Sequence, residues 1–304
     1  MSEMRHGRYN RPSVAIALCL VAMTLFSAQD GLIKWVTSDY WLIQLLFVRS
    51  CVIATCSGLY IASSQGVAGF RTARPKDHAL RMVINFLAFF TYYMAVTLMP
   101  LATATTLAMT APLFMTAMAG PLLGEHVGIK RHLIMLFGFV GVIIIVQPNS
   151  TEFDLHGSAY AITGALMFAL LGIQSRRMSK TEATEQIVFY AASGFAIFTG
   201  AFMLFYWQPI DLLSFGLMVL LGLIALFAQY TIVHAYQYAK IHVIAPFEYV
   251  TVLWSVLIGW AFFSEHPASA TLIGAVLIIT AGLTICWYEK VEYGRNTAPP
   301  INPV

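Results

Sequence analysis

The sequence predicts an all-α polytopic membrane protein: ten transmembrane helices, arranged as two five-helix repeats inverted with respect to each other. Three observations predict it, namely the composition, the spacing of the charges and a recurring set of short motifs. Of 304 residues, 59% are hydrophobic and 10% charged, against roughly 45–50% and about 25% in a soluble domain. A soluble fold of this length has no interior large enough for that apolar surface. The charges gather between apolar runs whose lengths approach the ~20 residues that cross a bilayer core.

The first run, 13–36, follows Arg5, Arg8 and Arg11 and so carries the basic flank of a secretory signal. It is longer than the roughly 7–15 apolar residues of a signal core, and is read as the first span. Runs at 42–64, 78–98, 101–123 and 131–147 complete a first unit, 13–147. Met99-Pro100 alone separates the third run from the fourth, which makes that pair a tight helical hairpin. Runs at 156–175, 186–207, 213–237, 243–263 and 269–288 form a second unit, 156–288. Pro112 inside the fourth run and Pro246 early in the ninth free backbone carbonyls and bend their helices. Residues 1–12 form an N-terminal tail, and the polar, proline-containing 289–304 is expected to be disordered.

Loop charge orients the chain. With the N-terminus placed in the cytoplasm, Lys34 and Arg49 lie within spans, and the other fifteen of the seventeen Lys and Arg fall on the cytoplasmic side. The opposite loops hold Asp39, Glu152, Asp154, Asp211 and Glu265. That asymmetry places both termini inside a cytoplasmic membrane. The net charge of +3 is accounted for by topology and calls for no nucleic-acid partner. Cys19, Cys51, Cys56 and Cys286 sit in apolar runs without metal-ligand or CxxC spacing, so they read as small buried hydrophobes. No metal or cofactor is expected.

The two units echo each other. FSAQDGLIK at Phe26–Lys34 aligns with FALLGIQSR at Phe168–Arg176, and the same offset sets Gln44 against Gln186. LLGEH ending at His126 matches FFSEH ending at His266. Five spans is an odd number, so the second unit enters the membrane upside down. Inverted repeats are a recurrent carrier architecture with substrate bound near the midplane between them. Two inverted halves can exchange conformations and so face either side in turn.

Ten spans as five plus five, short loops, the GEH and SEH ends of spans four and nine, and the GFVGVIIIVQP segment resemble the drug/metabolite transporter superfamily, in particular its EamA-type ten-helix carriers. The resemblance covers nearly all of Ser13–Tyr288. It implies transport of a small organic molecule by alternating access, and leaves the substrate open among amino acids, nucleosides, vitamins, drugs and S-adenosylmethionine. TLFSAQDGLIKWV followed by YWLIQLLFVRS is similar to a subset that includes bacterial riboflavin carriers.

Ionisable groups inside spans are costly and are functional candidates by default. Asp30 and Arg49 lie at matching depths, roughly 9 and 10 Å from the same membrane surface at 1.5 Å per residue. They are expected to pair, as a lock between spans one and two or as part of the pathway, with Lys34 one turn above snorkelling outward. Glu248 and His234 reach similar depths from the other side and are a candidate proton relay. Asn85, Tyr92, Tyr93, Gln229, Tyr230, Tyr249 and Trp254 fall on spans three, eight and nine, which by the resemblance line the cavity. Aromatic rings with polar tips suit a planar, hydrogen-bonding ligand.

No HExxH or nucleophile-elbow pattern supports an enzyme, and no large soluble region supports a receptor. No phosphate-binding loop is present, so any concentrative step draws on an ion or solute gradient. The expectation is a secondary carrier, with riboflavin uptake as the leading specific substrate and export of amino acids or drugs, proton-coupled or not, as the alternative. Its partners are the substrate and the bilayer, with homo-oligomerisation left open.

Overall fold

The computed structural model describes residues 12–123, 129–146, 154–178, 182–238 and 247–297. Among them every regular element is helical: α1 (Pro12–Val36), α2 (Leu42–Gln65), a 3-10 turn (Val67–Phe70), α3 (Pro75–Leu98), α4 (Leu101–Ala108), α5 (Ala111–Leu123), α6 (Ile129–Val146), α7 (Leu155–Met178), α8 (Thr184–Tyr206), α9 (Leu212–Tyr238), α10 (Val250–Phe263) and α11 (Ser269–Thr297). In lipid each backbone N–H and C=O must be satisfied within its own segment, which leaves the helix as the economical element for such runs. The helices α1, α2, α3, α7, α8 and α9 are each long and apolar enough to cross a membrane. Shorter apolar helices occupy the remaining expected runs.

Local chemistry sets the ends. Pro12 and Pro75 open their helices, where a missing N–H costs nothing. Pro100 precedes the first residue of α4. Gly66, at φ 63°, closes α2. The fourth run is two helices, because Met109 and Thr110 form a turn and Pro112 is the second residue of α5. The Thr110 carbonyl accepts from Leu113 and Phe114 and restarts the helical ladder.

Helix α11 runs past Tyr288 to Thr297, into the stretch 289–304 expected to be disordered. Extending an existing helix adds a hydrogen bond per residue without a new nucleus. Residues 1–11 and 298–304 lie outside the described residues, as do Glu125, His126 and Pro246.

The packing repeats itself under exchange of the two halves. That exchange swaps α1 with α7, α2 with α8, α3 with α9, α4–α5 with α10, and α6 with α11. Helix α3 packs on α7 as α9 packs on α1, and α3 meets α8 as α9 meets α2. Helix α10 lies on α1 as α4 and α5 lie on α7. Helices α2 and α8, and α6 and α11, pair with their own counterparts. Single side chains obey the same exchange. Gln44 grips the loop after α8, donating to Gln208 O at 2.7 Å and accepting from Gln208 N at 3.2 Å. Its counterpart Gln186 grips the loop after α2 through Gly69 O and Arg71 O at 2.6 and 3.1 Å.

The core between the halves includes Leu45, Leu46, Tyr93, Leu101, Leu107, Phe195, Met218 and Leu221. Leu204, Phe205, Leu212 and Leu213 face outward and exposed, a lipid-facing surface for a chain that spans a bilayer. Trp35, Trp41, Tyr206, Trp207 and Trp260 cluster at the end of the bundle that carries the acidic loops, the level at which amphipathic rings meet headgroups.

Candidate functional site

Toward the acidic-loop side of the bundle, Gln29, Asp30, Arg49, Tyr92, Tyr93 and Thr105 form one buried polar group drawn from α1, α2, α3 and α4. Tyr92 Oη donates to Asp30 Oδ2 at 2.7 Å and lies 3.3 Å from Thr105 Oγ1. Gln29 Nε2 donates to Tyr93 Oη. Arg49 Nη2 reaches Gln29 Oε1 at 3.3 Å, and its guanidinium lies over the rings of Phe89 and Tyr93 at 5.4 and 5.9 Å.

The expected Asp30–Arg49 ion pair is therefore not formed. The two side chains do reach the same depth, but Tyr92 occupies the carboxylate and Gln29 stands between the charges. Lys34 does not snorkel outward either. It joins Glu265 of the second half and donates to Met99 O at 2.9 Å. The other carboxylate oxygen of Glu265 accepts Leu101 N–H at 2.9 Å, at the start of α4. This carboxylate is aimed by local backbone chemistry. Ser264 takes a left-handed conformation at φ 54°, and Glu265 N–H returns to Gly259 O at 3.0 Å, which closes the end of α10. A Cβ on residue 259 would meet Glu265 Oε2 at 2.8 Å, so a larger residue there would displace the carboxylate.

A small cavity of about 20 Å³ lies beside the guanidinium, lined by Arg49, Ser50, Ile53, Asn85, Phe89, Ala191, Ala192, Phe195 and Gln229. The offset that relates Gln44 to Gln186 also relates Arg49 to Ala191, Ser50 to Ala192 and Ile53 to Phe195. The cavity thus sits where the halves face each other, lined by equivalent stretches of α2 and α8. Sequence reasoning found Arg49, Asn85 and Gln229. It missed Ala191, Ala192 and Phe195, which only the repeat offset marks out.

Other candidates lie elsewhere. Tyr230 packs edge-on to Tyr60 at 6.4 Å, and Tyr249 is buried against Gly282. Trp254 is half-buried on α10 and does not line the cavity. Glu248 lies within electrostatic reach of Cys19. His234 is exposed. A buried Glu–His contact joins Glu182 and His78 at 3.4 Å. Asp211, in the loop before α9, caps that helix through Leu213 and Ser214 N–H at 2.9 and 3.0 Å, and takes the Tyr40 hydroxyl at 2.7 Å. Hydrogen bonds from Ser214 above all, and from Tyr40, hold its carboxyl well below the usual carboxylate range.

Comparison with known proteins agrees with this architecture. The sequence pattern of the EamA-like transporter family matches twice, at residues 13–147 and 155–287. An S-adenosylmethionine uptake transporter of Rickettsia bellii is 26% identical, over 93% of this chain and 97% of its own length. The pseudopaline exporter CntI of Pseudomonas aeruginosa is 27% identical over 90% and 96%. A riboflavin transporter of Rhizobium johnstonii is 30% identical over 72% and 73%. A solved crystal structure shares the fold at a TM-score of 0.63 and 20% identity, across 92% of this chain and 99% of its own. The chain belongs to the EamA-like transporter family and is a multi-pass membrane transporter.

Proposed function

We propose that this EamA-like transporter is a secondary carrier that moves a small organic metabolite through the cavity between its halves by alternating access, in a cytoplasmic membrane with both termini inside. One observation carries the reading. The polar cavity is lined by equivalent stretches of both repeats, while the acidic-loop end above it is tied across the repeats by Lys34, Glu265 and Leu101. The cavity as it stands holds about one water, so a metabolite enters only when helices part. Separation of the halves at the acidic-loop end requires the Lys34–Glu265 contact to break, and loss of that contact opens the cavity to that side.

Two substrate readings have support. The uptake transporters of the Rickettsia species match along most of this chain, and S-adenosylmethionine offers a carboxylate and cationic groups to Arg49 and Asp30. Riboflavin, a neutral planar molecule, is favoured by the rings of Phe89, Phe195, Tyr92 and Tyr93 and by the Rhizobium relative. Purified protein in proteoliposomes, supplied in turn with labelled S-adenosylmethionine, riboflavin and amino acids, tests both. Saturable entry of one of them is expected, and entry of none refutes the carrier reading for these classes. Sidedness is tested separately. A cysteine at Asp154 or Asp211 should react with an impermeant thiol reagent in intact cells, and one at Arg74 should not.

A further inference from the structure

We infer that Arg49 is the anion subsite of the cavity and that the transported molecule carries a carboxylate bound there. The inference rests on the carrier reading above and names the substrate class of the same site.

Arg49 is 2% exposed. Among the described residues no carboxylate oxygen lies within 4.0 Å of its guanidinium, and its Nε is buried without a hydrogen-bond partner. Of its five N–H donors, one is used, in the long contact to Gln29. A charge held this way in low dielectric is destabilising unless it is paired. Asp30, the acid that shares its depth, is hydrogen-bonded by Tyr92 and acts on Arg49 only through space, without direct contact.

The fold does not demand a cation at this position. The equivalent residue of the second half is Ala191, which lines the same cavity, and α8 carries it through the same contact with α2. Its neighbours Gln29 and Asp30 likewise correspond to Leu171 and Gly172, which have no polar side chain. An arginine that the duplicated scaffold does without is specialised for something other than packing. Alanine opposite it leaves the room that a ligand's head group needs.

The surroundings fit a planar anion. The guanidinium lies over the rings of Phe89 and Tyr93, and its Nε, without a hydrogen-bond partner, is one of the donors with which an arginine binds a carboxylate. Ser50, Asn85 and Gln229 line the same space and supply further hydrogen-bond donors. Riboflavin has no group for this subsite.

The test uses the intact purified protein and matched ligand pairs. Binding is measured by calorimetry for S-adenosylmethionine and its decarboxylated analogue, for methionine and its decarboxylated amine, and for riboflavin. At least one acid should bind, and its decarboxylated partner should bind at least tenfold more weakly. Arg49→Lys should keep part of that preference, and Arg49→Gln should bind the two members of the pair equally. The inference is overturned if a decarboxylated partner binds as well as its acid, if the preference survives Arg49→Gln, or if riboflavin alone binds. It is also overturned if no acid binds. The wild-type comparison needs no variant to fold. Acid binding without any uptake into proteoliposomes would instead refute the carrier reading and leave the subsite standing.

Discussion

Lys34 and Glu265, 231 residues apart in the chain, meet at the acidic-loop end and join the first repeat to the second. Both are partly open to solvent, at 15% and 18% exposure, so the contact is accessible enough to break during a transport cycle. A covalent cross-link there should hold that end shut. With Lys34→Cys and Glu265→Cys in one protein lacking its native cysteines, a bifunctional methanethiosulfonate that spans the length of the two replaced side chains should abolish transport, and reduction should restore it. Full transport by the cross-linked form would show that this end does not open.

The buried Asp30 depends on Tyr92 rather than directly on Arg49. A double-mutant cycle measured by thermal unfolding in detergent separates the two. Asp30→Asn and Tyr92→Phe should show a coupling of about 1.5–3 kcal/mol, the range for a hydrogen bond to a charged group. The Asp30→Asn and Arg49→Gln cycle should show less. A larger coupling in the second cycle would contradict the geometry.

The crossing of α6 and α11 leaves no space at Gly274. A Cβ there would meet Gly141 O at 2.7 Å and the Ile145 side chain. Gly274→Ala should therefore destabilise the protein by about 1–3 kcal/mol, as overpacking does, read as a lower unfolding temperature. An unchanged temperature would mean that the two helices cross elsewhere.

Asp211 gives a pH signature at the surface. Its carboxyl titrates below its unfolded value, because the ionised form accepts hydrogen bonds from Ser214 and Tyr40. Such a group stabilises fully above the unfolded value, and its contribution fades as pH falls through the lower folded one. Hydrogen exchange read by mass spectrometry should show protection across 211–214 unchanged from pH 7 to pH 5. Asp211→Asn should lower that protection at both pH values. Loss of wild-type protection by pH 5 would contradict the assignment.

The helices were legible because the solvent writes them. Lipid forces each apolar run into a helix and pushes charges to the ends, so span limits follow from where Arg74, Asp154 or Asp211 interrupts the sequence. Depth was legible for the same reason, and Asp30 and Arg49 do share a level. The direction in which each points around its helix was not, and that direction gives Asp30 to Tyr92 and leaves Arg49 beside the cavity. Lys34–Glu265 went unread because nothing local marks a contact between repeats. Ala191, Ala192 and Phe195 were silent because apolar residues in an apolar span carry no signal of their own. Only the structure showed that the repeat offset brings them opposite Arg49, Ser50 and Ile53.

The central claim is that one cavity between the repeats faces the two sides of the membrane in turn, and solute counterflow tests it most directly. Proteoliposomes are loaded with unlabelled substrate, the outside is cleared, and a trace of labelled substrate is added. An alternating site returns loaded with label each time it exports unlabelled molecules. Labelled substrate should accumulate transiently above its outside concentration without any ion gradient, and the cross-link between positions 34 and 265 should abolish that overshoot. Label that rises only to equality, or an overshoot that survives the cross-link, would contradict the account.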